Sequence, residues 1–426
     1  MNSFFLHQNN ALSGKEEKMI AKLYPDRTPE EGKQRLQTVY NQYQSIFPET
    51  RGIQIFSVPG RTELGGNHTD HQHGCVLAAG VSRDTAAVAA RNRTNSIRIY
   101  SVGYGKMEIC LDDTAPRQEE ARTPAAFVRG VAACFQQAGY AVGGFDALIS
   151  SDISAGSGIS SSAAFEVLVG QMISGLFEED GISPIFLAQA GKYAENHYFG
   201  KSCGLMDQMA CANGSAIFLD FQNPENPYTE KLPFDPKKAG YALCLVDCGA
   251  GHEGLSDEYG AIPEEMGRVA ACFGKEVLRE VSPDEFFASI PAIRKKTGDR
   301  AVLRAVHFFG ENLRVQKQKE AICAGDFPRF LGLVKESGKS SFQYLQNIYP
   351  SGAVYHQEMG IGLALCERLL GEEGAFRVHG GGFGGTVQTF VPLRRLEQFV
   401  AEMEKALGQG KIQVLQIREP GAVRVF

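Results

Sequence analysis

Four stretches place reactive side chains at short spacing. In residues 57–80, SVPGRTELGGNHTDHQHGCVLAAG, three of the chain's 9 histidines (His68, His71 and His73) surround Asp70. Imidazoles and a carboxylate at that density suit a metal ion, the hydroxyls of a polar ligand, or a loop with no ligand. In residues 150–170, SSDISAGSGISSSAAFEVLVG, Gly156 and Gly158 flank Ser157. Ser160, Ser161 and Ser162 then run into a helix starting near Ala163. Exposed N–H groups and the positive end of the helix dipole favour phosphate there, and serine hydroxyls can bond phosphate or reach Mg2+. No lysine follows the glycines, so this is not a Walker A loop. The alternative is a Ser/Gly linker feeding a capped helix.

In residues 194–214, AENHYFGKSCGLMDQMACANG, Glu195 and Asp207 lie on either side of a glycine-containing turn. One carboxylate can bind Mg2+ while the other accepts a proton from a substrate hydroxyl. The alternative is a pair of solvated acids at a helix end. In residues 377–391, RVHGGGFGGTVQTFV, Gly380, Gly382 and Gly385 spell GxGxxG. A dinucleotide fingerprint needs a helix next, and TVQTFV continues as strand. What remains is backbone that passes close to a ligand or to another strand.

The elements that must position these stretches mix strands and helices. Thr28 reads as an N-cap, with Pro29 at the first helical position and two glutamates in the first turn. Leu36, Val39, Tyr40 and Tyr43 follow at helical spacing. Short β-rich runs come next: GIQIFSV, CVLAAGV, TAAVAAR, SIRIYSVG and KMEICLD, with polar turns between them. PAAFVRGVAACFQQAGY reads as helix and FDALISSD as strand. NPENPYTEKLPFDPKKAG reads as an exposed connection. YALCLVDCG is a buried strand, and long helical patterns follow. LEQFVAEMEKALGQG closes as a helix at Gly408. The expected class is α+β.

A chain of 426 residues with 43% hydrophobic content is expected to form two domains. A net charge of −6 disfavours nucleic acid as a partner. The 10 cysteines are scattered without a CxxC pair, which suits free thiols in a reducing cytoplasm. MNSFFLHQNN lacks the features of a signal peptide, and no window reaches the ~18 apolar residues of a membrane span. A cytoplasmic protein with no membrane partner is expected.

Taken together, the motifs resemble those of the GHMP kinase superfamily, and most closely the galactokinase family. GRTELGGNHTDH is similar to that family's N-terminal signature GRxNLIGEHTDY, and GSGISSSA to its GxGLSSSA. GLMDQ resembles GIMDQ, GGGFGG is the same, and RAVHFFGENLRV looks like RAxHxxxENxRV. The likeness runs from about residue 53 to 386. It implies a two-domain GHMP kinase: a ribosomal protein S5 domain 2-like N-terminal domain (1–220, joined by the extreme C-terminal strand) and a ferredoxin-like C-terminal domain (221–426). The implied activity is ATP-dependent phosphorylation of the anomeric hydroxyl of galactose, with Mg2+, by a monomer.

The resemblance also implies roles. Arg61 and Asp207 match the catalytic pair. Ser162 and Glu195 match Mg2+ ligands. Gly156, Ser157, Gly158, Ile159, Ser160, Ser161 and Ser162 match the ATP phosphate loop. Asn67, His68, Asp70, Gly204 and Tyr259 fall at sugar-contacting positions, and the segment from Arg91 to Tyr100 at the adenine pocket. A closed zinc site takes four ligands in tetrahedral array. His68 and Asp70 suit sugar hydroxyls better, with His71 and His73 behind them.

The sequence departs from the signature at position 67, where Asn stands for the usual Glu. Exchanging a charged acceptor for a neutral one weakens a hydrogen bond to a sugar hydroxyl by about tenfold in affinity unless another group, such as Glu63, compensates. It also removes a charge that would repel a C6 carboxylate. Galacturonate kinases resemble galactokinases and share the DHQ of residues 70–72, so galacturonate, or another C6- or C2-modified galactose, is the alternative acceptor. A non-catalytic sugar and ATP sensor is the alternative of another class.

Overall fold

The computed structural model describes residues 13–48, 51–154, 156–178, 181–250 and 254–425. MNSFFLHQNN lies outside them. Two helices, α1 (Gly14–Leu23) and α2 (Pro29–Ile46), open the described chain. Each begins with a reciprocal capping box, Ser13 with Glu16 and Thr28 with Glu31. Both helices bury one stripe, including Ile20, Leu23, Leu36, Val39 and Tyr43. That stripe packs on Ile55, Ala86, Val88 and Leu148, which form one face of the first sheet.

The first sheet contains β1 (Gln54–Gly65), β2 (Cys75–Arg91), β3 (Ser96–Ser101), β4 (Gly105–Cys110), β5 (Phe145–Ser151), β6 (Ala216–Asp220) and β7 (Tyr228–Leu232). All its pairings are antiparallel except β3 with β5. Its second face is covered by α3 (Pro124–Gln137), α4 (Ser161–Phe177), α5 (Pro184–Ala194) and α6 (Met206–Asn213). The second sheet holds β8 (Tyr241–Ala250), β9 (Ala375–Val378), β10 (Gly385–Pro392) and β11 (Ile412–Leu415) in the spatial order β11-β8-β10-β9. With helices between β8 and β9 and between β10 and β11, this is the βαββαβ pattern of a ferredoxin-like unit. The helices of this half are α7 (Ser256–Ala271), α8 (Pro283–Thr297), α9 (Asp299–Cys323), α10 (Phe327–Ser340), α11 (Glu358–Leu370) and α12 (Leu396–Leu407). A last strand, β12 (Val423–Arg424), returns to pair with β1. No helix among the described residues is long and apolar enough to cross a membrane.

Two readings of the sequence change. NPENPYTEKLPFDPKKAG is not all connection: Tyr228–Leu232 pairs with β6, so the first sheet runs past residue 220 and the change of sheet falls between Leu232 and Tyr241. CVLAAGV and TAAVAAR are one strand, not two, and SRD between them is not a turn. Ser82 and Asp84 are wholly buried within it. Asp84 is tolerated because it is fully partnered. It accepts from Tyr24 Oη (2.9 Å), Ser57 Oγ and Arg35 Nε (2.7 Å), and Arg418 lies 3.7 Å away. Burial pushes its pKa up, but the charges of Arg35 and Arg418 outweigh this and hold the carboxyl below its ordinary range.

Asp84 thus ties α1, α2, β1, β2 and the C-terminal segment to one buried charge. Asp84→Ala leaves Arg418 buried without a carboxylate, and a loss of about 3–5 kcal/mol is expected. Urea denaturation checks this; a midpoint within error of the parent would refute it.

Candidate active site

Arg61 lies on β1 beside a register shift in its pairing with β2. Bulges of this kind re-aim side chains. Its guanidinium makes a bidentate pair with Asp207, Nε to Oδ1 at 2.6 Å and Nη2 to Oδ2 at 2.7 Å, while Nη1 donates to the Gly158 carbonyl at 2.6 Å. Asp207 occupies the first turn of α6, where the helix dipole favours a negative charge. Burial works to raise its pKa. Arg61, and a hydrogen bond from Ser160 Oγ, outweigh that and hold it below the carboxylate range. Asp207 is therefore ionised at neutral pH.

The loop at 156–160 feeds α4. Gly156, Gly158 and Ser160 all have positive φ. Ser160, at the N-cap, makes no side-chain capping bond because its hydroxyl is spent on Asp207. The first N–H groups of α4 thus have no side-chain cap, the arrangement that binds phosphate. Ser157 is buried, Ile159 is fully buried, and the Ile159 carbonyl accepts from Arg61 N at 3.1 Å. Ser161 and Ser162 form the first turn of α4, half-buried. A Cβ on Gly158 would meet Thr386 Oγ1 at 2.3 Å, so the loop sits directly against β10.

Glu195 opens a short π-helical turn at 195–199, a feature frequent at functional sites. It is 3% exposed. Gln208 Nε2, one residue beyond Asp207, donates to Glu195 Oε2 and to Glu166 Oε2, both at 3.0 Å. Glu166 was not singled out by sequence reasoning. It lies one turn beyond Ser162 on α4, and that i,i+4 spacing was the signal available. Burial and the charge of Glu195 push its pKa well above the carboxylate range, and its Oε1 is buried without a partner. Two buried carboxylates with an orphan oxygen, one turn from a serine hydroxyl, fit a hard divalent cation completed by phosphate oxygens. No group of three or more His, Cys, Asp or Glu able to hold a metal occurs among the described residues.

The 67–73 loop is held from below by a polar stripe on α9. His307 Nε2 donates to the Asn67 carbonyl (2.9 Å), Glu311 accepts from Gly66 N (3.0 Å), and Asn312 accepts from Cys75 N (2.7 Å). His68 has φ +56, and its Nε2 donates to the Gly381 carbonyl at 2.9 Å. Asp70 accepts from the His71 amide (2.9 Å), and burial raises its pKa. A Cβ on Gly204 would lie 1.7 Å from Asp70 Oδ2, so only glycine lets these two segments meet. Tyr259 donates to the Gly382 carbonyl (2.8 Å), and its ring covers Gly381.

Asn67 differs from expectation. It has no exposed surface. Its Nδ2 donates to the Gly380 carbonyl (2.6 Å) and to Glu63 (3.2 Å), and its Oδ1 accepts from Asn347 (2.9 Å) and Ser341 (3.3 Å). Its amide is fully engaged within the protein. The loop's carboxylate stands instead at Glu63, itself buried and paired with Arg377. The segment from Arg91 to Tyr100 also divides. Tyr100 pairs with Leu148 at the middle of β5, but Arg91 bonds the Leu176 carbonyl at the far end of α4. That end is about 22 Å from Ser161 by helix rise. Arg91 is out of reach of a nucleotide whose phosphates sit at the loop.

Comparison with known proteins gives two family matches. Residues 126–215 match the GHMP kinases N terminal domain, and residues 41–91 match the galactokinase galactose-binding signature. Among solved structures, the chain is similar to Lactococcus lactis galactokinase complexed with galactose: TM-score 0.80, 25% identity, 92% of this chain and 100% of that one covered. A putative sugar kinase from Campylobacter jejuni aligns at TM-score 0.57 and 16% identity, covering 87% and 98%. L. major mevalonate kinase in complex with R-mevalonate aligns at 0.57 and 15%, covering 87% and 97%. These last two share the fold.

Arg61→Met removes the charge that holds Asp207 ionised. The Asp207 pKa then rises, so the acid limb of a kcat/KM profile moves to higher pH, with a rate loss of about a hundredfold or more. A pH–rate series checks this; an acid limb that does not move would contradict the coupling.

Proposed function

We propose that the chain is a galactokinase-like, ATP-dependent sugar kinase of the GHMP superfamily, and that it transfers the γ-phosphoryl group of ATP to the anomeric hydroxyl of galactose, giving galactose 1-phosphate and ADP. The observation that carries this is the Arg61–Asp207 pair, closed by Gly158 and Ser160 at the start of α4. It sets an ionised carboxylate, a guanidinium and a phosphate-binding helix terminus against one another. Phosphoryl transfer needs little more than such positioning and charge stabilisation.

In this reading the sugar lies among His68, Asp70, Gly204 and Tyr259, with its C1 hydroxyl on Asp207. Asp207, with its pKa held low, is a modest base. It orients the hydroxyl and favours loss of its proton as the bond to phosphorus forms. Arg61, fixed by Gly158, stabilises charge on the transferring group. The backbone of residues 156–162 takes the phosphates. Mg2+ would be held by Ser162 and Glu195, with Glu166 behind, and supplies charge neutralisation to the β- and γ-phosphates. The 10 free thiols suit a reducing cytoplasm, and the chain is proposed to act there as a monomer.

Galacturonate is the second reading, favoured by the uncharged Asn67. Galactose is preferred because residues 41–91 match the galactokinase galactose-binding signature. A coupled ADP-release assay with galactose and galacturonate as competing acceptors tests the choice. Galactose is expected to win; preferential turnover of galacturonate would overturn it. Asp207→Asn is expected to abolish turnover and leave ATP binding nearly unchanged. Loss of nucleotide binding in that variant would show that the assigned role is wrong.

A further inference from the structure

Lys201 has no part in the scheme above, yet the backbone places it on Glu195. The π-helical turn at 195–199 ends on Gly200, with φ +83. The amides of Gly200 and Lys201 both donate back to the Glu195 carbonyl, at 3.0 and 3.1 Å. The loop is pinned again where Asn196 Oδ1 accepts from Cys203 N at 2.9 Å. Between these anchors the Lys201 side chain folds over Glu195, with Nζ 3.4 Å from Oε1. The side chain is 62% exposed, whereas that of Arg61 is 8% exposed and locked by three hydrogen bonds. Lys201 is therefore the exposed, loosely held cation of the site and Arg61 the buried, fully bonded one.

We propose that Lys201 is a further catalytic residue, whose ammonium contacts the γ-phosphoryl group of bound ATP. The inference rests on the phosphoryl-transfer reading of this site. Glu195 Oε2 already accepts from Gln208, so a divalent cation held by Glu195 would compete with Lys201 for Oε1. With a cation on Oε1, and with Asp207 already paired to Arg61, the flexible four-carbon stem of Lys201 would turn to an anion that lacks a partner, the phosphate poised for transfer. There it adds a charge-assisted hydrogen bond.

The test compares the parent protein with Lys201→Met and Lys201→Arg. Calorimetric titration with Mg·ADP and with a non-hydrolysable Mg·ATP analogue, both without sugar, reads the γ-phosphate contact separately from turnover. Lys201→Met is expected to weaken the analogue about tenfold relative to ADP and to lower kcat by about ten- to a hundredfold, with Lys201→Arg recovering most of both. The proposal is overturned if Lys201→Met leaves the analogue-to-ADP ratio unchanged, or if affinity for both nucleotides falls equally, as a purely structural role at Glu195 would give. Because the ratio needs no acceptor, it tests Lys201 even if the parent phosphorylates no hexose, a result that would count against the proposed function instead.

Discussion

The bidentate pair between Arg61 and Asp207 organises everything around it. Two opposite charges withdrawn from water are tolerated only when geometry and further hydrogen bonds compensate for desolvation. Here the compensation comes from three further groups. Gly158 contributes a carbonyl, Ser160 a hydroxyl, and α6 the positive end of its dipole. β1, the phosphate loop and α6 must therefore arrive together. That demand explains the positive φ of Ser160 and the approach of Gly158 to Thr386, which leaves no room for a side chain.

A second constraint runs the length of α9. Arg304, His307, Glu311 and Gln318 are all fully buried on this helix. Polar groups persist in a core only when they are bonded, and much of this stripe is spent on the β1–β2 connection. His307 and Glu311 hold Asn67 and Gly66 by their backbone. Asn67 in turn ties Glu63, Asn347, Ser341 and Gly380 together through its side chain. The sugar-signature loop is thus suspended between the two halves of the molecule, with the glycine loop as its far wall.

Parts of this were legible beforehand. Thr28, Pro29 and Glu31 announce a helix start because a capping box is a local exchange of hydrogen bonds, complete within four residues. The run of three serines also announced a helix start, although Ser160 makes no capping bond there and gives its hydroxyl to Asp207. The fate of Ser82 and Asp84 was not legible. A polar triplet reads as a turn unless its partners are known, and those partners are Tyr24, Arg35, Ser57 and Arg418, from four distant places in the chain. Glu166 and Lys201 escaped for a related reason: their character depends on Glu195 and Gln208, not on their own neighbours in sequence.

By itself the sequence determined the chemistry on offer: an arginine and an aspartate, a serine loop before a helix, and a histidine–aspartate cluster followed by glycines. Residue type and local spacing set these, because capping, glycine turns and helix dipoles act over a few residues. Only the tertiary structure decided which groups are charged, which are spent and which are free. Ionisation depends on burial and on neighbours brought from elsewhere in the chain. Asp207 is held ionised by Arg61, the pKa of Glu166 is pushed up by burial and Glu195, and the Asn67 amide is taken up by four partners that no local pattern places beside it.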